Sequence, residues 1–238
     1  MTVELSSWRE ASADPELVDS ELHLWRFSLD SRSLPLEKLK TSVLNSTERK
    51  RAERFVDAEK SAQFILARCY LRIILGRYLN LSPEMVELVY HQYGKPFIAH
   101  KSAHPLEFNL SHAHDRGVLA VTKGQAVGID LERIDPKLEF LPIANQFFLP
   151  EEKALLRNYP EHKRRRAFYR LWTRKEAVLK CLGYGFSEKP EKQAQATAGI
   201  GTIRSFHYAD GFLCSYAVQD HIKRIFKFDA PDLTRMLN

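Results

Sequence analysis

Two short segments gather acids and a base in patterns that could hold a metal ion and a phosphate. In Val127-Gly128-Ile129-Asp130-Leu131-Glu132, three aliphatics alternate with Gly128, Asp130 and Glu132. On a strand, successive side chains leave opposite faces, so both acids project from one face while the aliphatics bury the other. The run from Phe168 to Leu182 lacks Gly and Pro and repeats apolar residues at helical spacing. Glu176 and Lys180 then stand one turn apart, at i and i+4. A hard divalent cation takes oxygen donors in near-octahedral geometry, keeps several waters, and is held by a few carboxylates plus the phosphate oxygens of a substrate. Asp130, Glu132 and Glu176 could supply the protein's share, all three facing solvent, with Lys180 meeting the phosphate. Taken singly, each segment also suits a solvated surface, where such charge pairs are worth about a few tenths of a kcal/mol.

The elements around these segments bring more polar groups to strand ends. Phe108-Asn109-Leu110-Ser111-His112 closes an alternating stretch and breaks into the turn His114-Asp115-Arg116-Gly117. Upstream, Tyr93-Gly94-Lys95-Pro96-Phe97 forms a turn through its Gly and Pro, which fixes where the Lys95 side chain points. The chain also repeats itself. Glu48 and Glu152 each open a helical stretch, and Phe64 and Phe168 lie at the same offset beyond them, each at the start of an aromatic and basic helix. An early strand, Glu21 to Phe27, corresponds on this reading to the strand carrying Asp130. The boundary between the two halves falls near Arg116, giving an N-terminal half, 1–116, and a C-terminal half, 117–238. Beyond Gly185 the sequence is rich in Glu, Lys, Gln and Ala to about Ala198, which reads as a loop, and then as strands through Tyr216-Ala217-Val218.

Gly94-Lys95-Pro96, then Asn109-Leu110-Ser111-His112, then Gly128-Ile129-Asp130-Leu131-Glu132, then Trp172 followed by Lys175-Glu176 and Lys180 resembles the 4'-phosphopantetheinyl transferase superfamily, in its Sfp type. The resemblance runs from about Ser46 to Gly185, and the length of 238 residues suits the long, two-half members. It implies an α+β fold of two similar α/β halves related by a pseudo-two-fold, with coenzyme A between them. It further implies transfer of the phosphopantetheine arm of coenzyme A to a serine of an apo acyl or peptidyl carrier protein, releasing 3',5'-ADP. Carried over residue by residue, it makes Asp130, Glu132 and Glu176 the ligands of Mg2+, and Glu176 a candidate base for the carrier serine. Lys180 is placed on the phosphate chain, and Lys95, Ser111 and His112 at the nucleotide end and its 3'-phosphate. Arg51 and Arg68, on early helices, are added by position; an exposed basic face is the alternative for both.

Composition agrees with this. The hydrophobic fraction of 44% in 238 residues can bury one large core or two modest ones. No stretch is long and apolar enough to span a membrane. The first twenty residues lack a basic segment followed by an apolar one, and Cys69, Cys181 and Cys214 form no disulfide framework, so a reducing cytoplasm is the expected location. The net charge of +6 would suit nucleic acid, an anionic membrane or an acidic protein; the carrier domains implied by the resemblance are acidic. Two other classes compete. Lys163-Arg164-Arg165-Arg166 with Phe168, Tyr169 and Trp172 could bind a phosphate backbone and stack on bases, unless those aromatics are the core face of their helix. A metal-dependent phosphohydrolase would keep the acids and transfer phosphate to water. The expectation is a monomer with one coenzyme A site, without nucleic acid or membrane as a partner.

Overall fold

The structure, a computed structural model, describes residues 5–10, 15–99, 105–184 and 199–234. The loop expected over 185–198 lies outside them. The first half runs through β1 (Leu5–Glu10), β2 (Glu21–Ser28), α1 (Leu36–Val43), α2 (Ser46–Glu53), α3 (Ala58–Leu79), a short hairpin of β3 (Leu88–Tyr90) and β4 (Pro96–Ile98), then β5 (Leu106–Ala113) and β6 (Arg116–Lys123). The remainder comprises β7 (Val127–Arg133), α4 (Phe140–Phe147), α5 (Pro150–Asn158), α6 (Glu161–Leu182), β8 (Thr202–Ala209), β9 (Phe212–Val218) and β10 (Arg224–Asp229).

Alternation along the strands sets the layers. Leu22, Leu24, Val118 and Ala120 point one way from a five-stranded sheet ordered β1-β10-β2-β6-β5, and Trp25, Phe27, Leu119 and Val121 point the other. The second set packs on α1 and α3 through Leu39, Leu66, Ile73 and Ile74. The first meets Val127, Ile129 and Leu131 of a three-stranded antiparallel sheet ordered β7-β9-β8. The far face of that smaller sheet carries α6. The order of layers is therefore helix, sheet, sheet, helix, each sheet having one face on its partner sheet and the other on a long helix.

The repeat read from the sequence has a structural counterpart. In each sheet one strand, β2 or β7, lies beside the second strand of a later antiparallel pair, β6 or β9, whose other member is β5 or β8; β1 and β10 stand outside this pattern, on the far side of β2. Both long helices have 22 residues. Glu48 closes the N-terminus of α2 by accepting from Asn45 N–H at 3.2 Å and also accepts from Arg72 Nε of α3 at 2.7 Å. Glu152 does the same for α5, accepting from Leu149 N–H at 2.8 Å and pairing with Lys175 Nζ of α6 at 3.0 Å. One glutamate thus ties each short helix to its long neighbour, which is why Glu48 and Glu152 mark the period.

Candidate active site

The acids of β7 sit where that strand meets α6. Val127, Ile129 and Leu131 are in the core between the sheets, which turns Gly128, Asp130 and Glu132 toward the helix. Gly128 sets the separation. A Cβ there would lie 2.0 Å from Ala177 O and 2.3 Å from Cys181 N, both backbone atoms of α6. Only hydrogen fits in that space, and the close approach brings Glu176 and Lys180 over Asp130. For the same reason Asp130 does not face solvent as its sequence suggests; it is only 3% exposed, while Glu132 and Glu176 are partly exposed.

Lys180 Nζ donates to Asp130 Oδ1 at 2.6 Å and to Ser111 Oγ at 3.2 Å. Burial opposes the charge on Lys180, but Asp130, then Glu176 and Glu132, hold its pKa above the ordinary lysine range. The two glutamates move the other way. Burial, with the Asp130 charge adding to it, pushes Glu132 from 4.5 to about 7; burial does the same to Glu176, where Lys180 opposes and Asp130 reinforces. Trp172 donates a side-chain hydrogen bond to Glu132. Asp130 Oδ2 is buried without a hydrogen-bond partner. The acids feel one another's charge, yet among the described residues no three acid, histidine or cysteine side chains are drawn together tightly enough to enclose a metal ion.

The other expected residues divide into two groups. Lys95, Asn109 and Ser111 meet β7. Gly94, at φ +82°, closes the turn between β3 and β4 with its N–H on His91 O at 2.8 Å. From that turn Lys95 Nζ donates to Val127 O at 3.0 Å and Cys181 O at 3.1 Å. Its burial lowers its pKa. Asn109 Oδ1 accepts from Ile129 N–H at 2.8 Å; Ser111 Oγ accepts from Leu131 N–H at 3.2 Å and donates to Asp130 Oδ1 at 3.3 Å. His112 points the opposite way along β5, is exposed, and is held below the ordinary histidine range by partial desolvation and the Lys180 charge. Arg51 and Arg68 form a second cluster around Phe64, with their guanidinium carbons 5.2 and 5.6 Å from its ring centre. Arg68 also donates to Tyr90 Oη at 2.9 Å, and Arg51 borders a pocket of ≈ 540 Å³ with Lys50, Arg54 and Phe55.

Asn109 and Trp172 stand in the motifs read from the sequence, but neither was given a role at the site. The signal for Asn109 was its place two residues before Ser111 on the same strand face. The basic run before α6's aromatics serves the fold. Arg164 Nε donates to Tyr159 O and Arg165 Nη1 to Asp135 O and Leu138 O, while Phe168 and Tyr169 are buried in the α4–α5–α6 core. Phe168 and Tyr169 are thus the core face of their helix, as the plainer reading of those aromatics expects.

The chain is thus a pair of similar α/β halves, with a lysine and acids held where strand and helix converge in the second. The 4'-phosphopantetheinyl transferase N-terminal model matches residues 36–124, and the 4'-phosphopantetheinyl transferase superfamily model matches residues 126–222. The chain is 38% identical over 192 residues to the 4'-phosphopantetheinyl transferase HetI of Nostoc sp. (strain PCC 7120), covering 80% of this chain and 81% of HetI. It is 39% identical over 112 residues to the transferase AcpT of Salmonella typhimurium, covering 47% of this chain and 56% of AcpT. With a Bacillus subtilis 4'-phosphopantetheinyl transferase it shares 27% identity over 146 residues, 61% of this chain and 63% of that protein. The chain belongs to the 4'-phosphopantetheinyl transferase superfamily, and its activity is 4'-phosphopantetheinyl transfer from coenzyme A to carrier proteins.

Proposed function

We propose that the transfer is Mg2+-dependent and takes place at the β7–α6 junction, with Asp130, Glu132 and Glu176 holding the ion. The observation that carries this is Asp130 Oδ2, a carboxylate oxygen buried without a partner beside two glutamates that its charge helps drive toward neutrality. Oxygen donors alone suit a hard cation, and a bound cation would favour all three ionised forms. When bound, the ion would offset charge on the pyrophosphate oxygens.

In the reaction a carrier serine oxygen bonds to the phosphorus attached to the pantetheine arm, and the bond from that phosphorus to the bridging oxygen breaks, releasing 3',5'-ADP. The serine proton goes to a base, and Glu176, titrating near neutrality, is matched to that task. Lys180, kept protonated by its three acids, meets the charge developing on the phosphate oxygens. Most of the acceleration comes from positioning and fixed charge. His112, Arg51 and Arg68 supply donors for the nucleotide end and its 3'-phosphate; Lys95 and Ser111 border the site with polar atoms already engaged by protein.

The half that runs through β6 and the half that begins at β7, a division after Lys123 and not at Arg116, together complete one site, and the chain works as a monomer in the cytoplasm, the carrier being an apo acyl or peptidyl carrier protein. No described helix is long and apolar enough to cross a membrane. The test is incubation with coenzyme A, Mg2+ and a panel of apo carriers, followed by weighing the carriers, with light scattering on the same enzyme. Transfer that survives EDTA or Glu176→Ala, or a stable trimer, would overturn the corresponding part of the reading.

A further inference from the structure

The inner edge of β7 raises a satisfaction problem. β9 pairs with one edge of this strand, which leaves the polar groups of Val127, Ile129 and Leu131 pointing away from the sheet. All three residues are at most 1% exposed, so water does not serve those groups. The neighbouring strand is β5, which advances in the same direction, yet among the described residues no backbone ladder joins the two sheets. Side chains take its place. Lys95 Nζ donates to Val127 O, Asn109 Oδ1 accepts from Ile129 N–H, and Ser111 Oγ accepts from Leu131 N–H. The step of two residues from Asn109 to Ser111 on β5 matches the step from Ile129 to Leu131 on β7, and Asp130 lies between those two bonds.

We propose that the side chains of Lys95, Asn109 and Ser111 are positioning groups, a three-point stitch from the first half to the strand that carries Asp130 and Glu132. The inference rests on the assignment of those two acids to the site. Hydrogen-bonding capacity decides it for Ser111. A hydroxyl has one donor and two acceptor positions, and Ser111 uses all three, on Asp130, Leu131 and Lys180. Lys95 places two of its three donors on Val127 O and on Cys181 O in the last turn of α6, where a cation also complements the helix dipole. It thereby ties β7 to the C-terminal end of the helix that presents Glu176 and Lys180.

Amide hydrogen exchange by NMR, coenzyme A titration and steady-state kinetics on the full chain test this. In Asn109→Ala the Ile129 amide should exchange at least about tenfold faster, and in Ser111→Ala the Leu131 amide should, with the rest of β7 still protected. Turnover per folded molecule should fall about tenfold or more, while the coenzyme A Kd and KM stay within about twofold, the pattern for an interaction felt in the transition state alone. Ser111→Thr, which keeps the hydroxyl, should restore turnover and Leu131 protection. If Asn109→Ala does not fold, the Ser111→Ala and Ser111→Thr pair carries the test alone. A coenzyme A Kd raised about tenfold with Ile129 and Leu131 exchange unchanged would make these residues substrate contacts and overturn the proposal. The exchange readout does not depend on transfer, so a failure of the assigned activity is distinguishable from a failure of the stitch.

Discussion

Glu176→Gln should make the protein more stable at alkaline pH while removing its activity. A carboxyl whose pKa is raised on folding binds its proton more tightly in the native state than in the unfolded one. Between the two values the native state holds more protons, and stability falls as pH rises. For Glu132 and Glu176 that window runs from 4.5 to about 7, and above it the loss is complete. At ~1.4 kcal/mol per pH unit, the difference bounds the cost of ionising Glu176 at ~3 kcal/mol. The side chain is partly exposed, so solvent screening reduces this to ~1–2 kcal/mol. For a chain of this size the gain corresponds to a rise in Tm of ~2–8 °C at pH 8. Thermal and urea unfolding in EDTA would be compared at pH 5 and pH 8. At pH 5 the variant and the parent should nearly coincide; at pH 8 the variant should be the more stable. Mg2+ at pH 8 should raise the parent's Tm and leave the variant's nearly unchanged. An equal gain at both pH values, or none at pH 8, would refute the account of why these acids titrate late.

Three further outcomes follow from the geometry. Gly128→Ala should cost at least ~1–3 kcal/mol and sharply reduce transfer, because its methyl group meets immovable backbone of α6; a urea midpoint and carrier mass would show both. Arg72→Met should cost up to ~3–5 kcal/mol by leaving buried Glu48 with only the more distant Arg68, at 3.8 Å, as read by urea unfolding, and adding Glu48→Leu should recover part of the loss. Coenzyme A should bind more tightly than its dephospho form by ~1.5–3 kcal/mol per charge-assisted contact, and His112→Ala, Arg51→Ala and Arg68→Ala should each narrow that preference in calorimetry.

The alternation of Val127, Ile129 and Leu131 with Gly128, Asp130 and Glu132 was legible because a strand of period two buried on one face has a single register that keeps aliphatics inside. The i, i+4 placement of Glu176 and Lys180 was legible for the corresponding reason on a helix. The depth of Asp130 was not, because it depends on how close α6 comes, and that distance is set by one missing methyl group at Gly128. Lys95 and Ser111 show the same limit from another side. Their residue types advertise donors, but which groups receive them depends on the docking of β5 against β7, a contact made across the two halves of the chain.

The doubled architecture also shows how one copy of a layered unit can keep a polar site that the other has filled. On β2 the face toward α3 carries His23, Trp25 and Phe27, all buried, and Tyr78 Oη of that helix meets both His23 Nδ1 and Trp25 Nε1 at 2.8 Å. Large rings fill the gap between strand and helix there. At the corresponding place on β7 stand Gly128, Asp130 and Glu132, which lack the bulk to fill it and bring two carboxyls, that of Glu132 penalised by its burial. Such a junction opposes folding unless its strand is held from elsewhere, and β7 is held on its free edge by side chains of the filled half. The well-packed first half therefore supports, through that edge, the polarity that the second half needs for chemistry, and one chain arrives at one site.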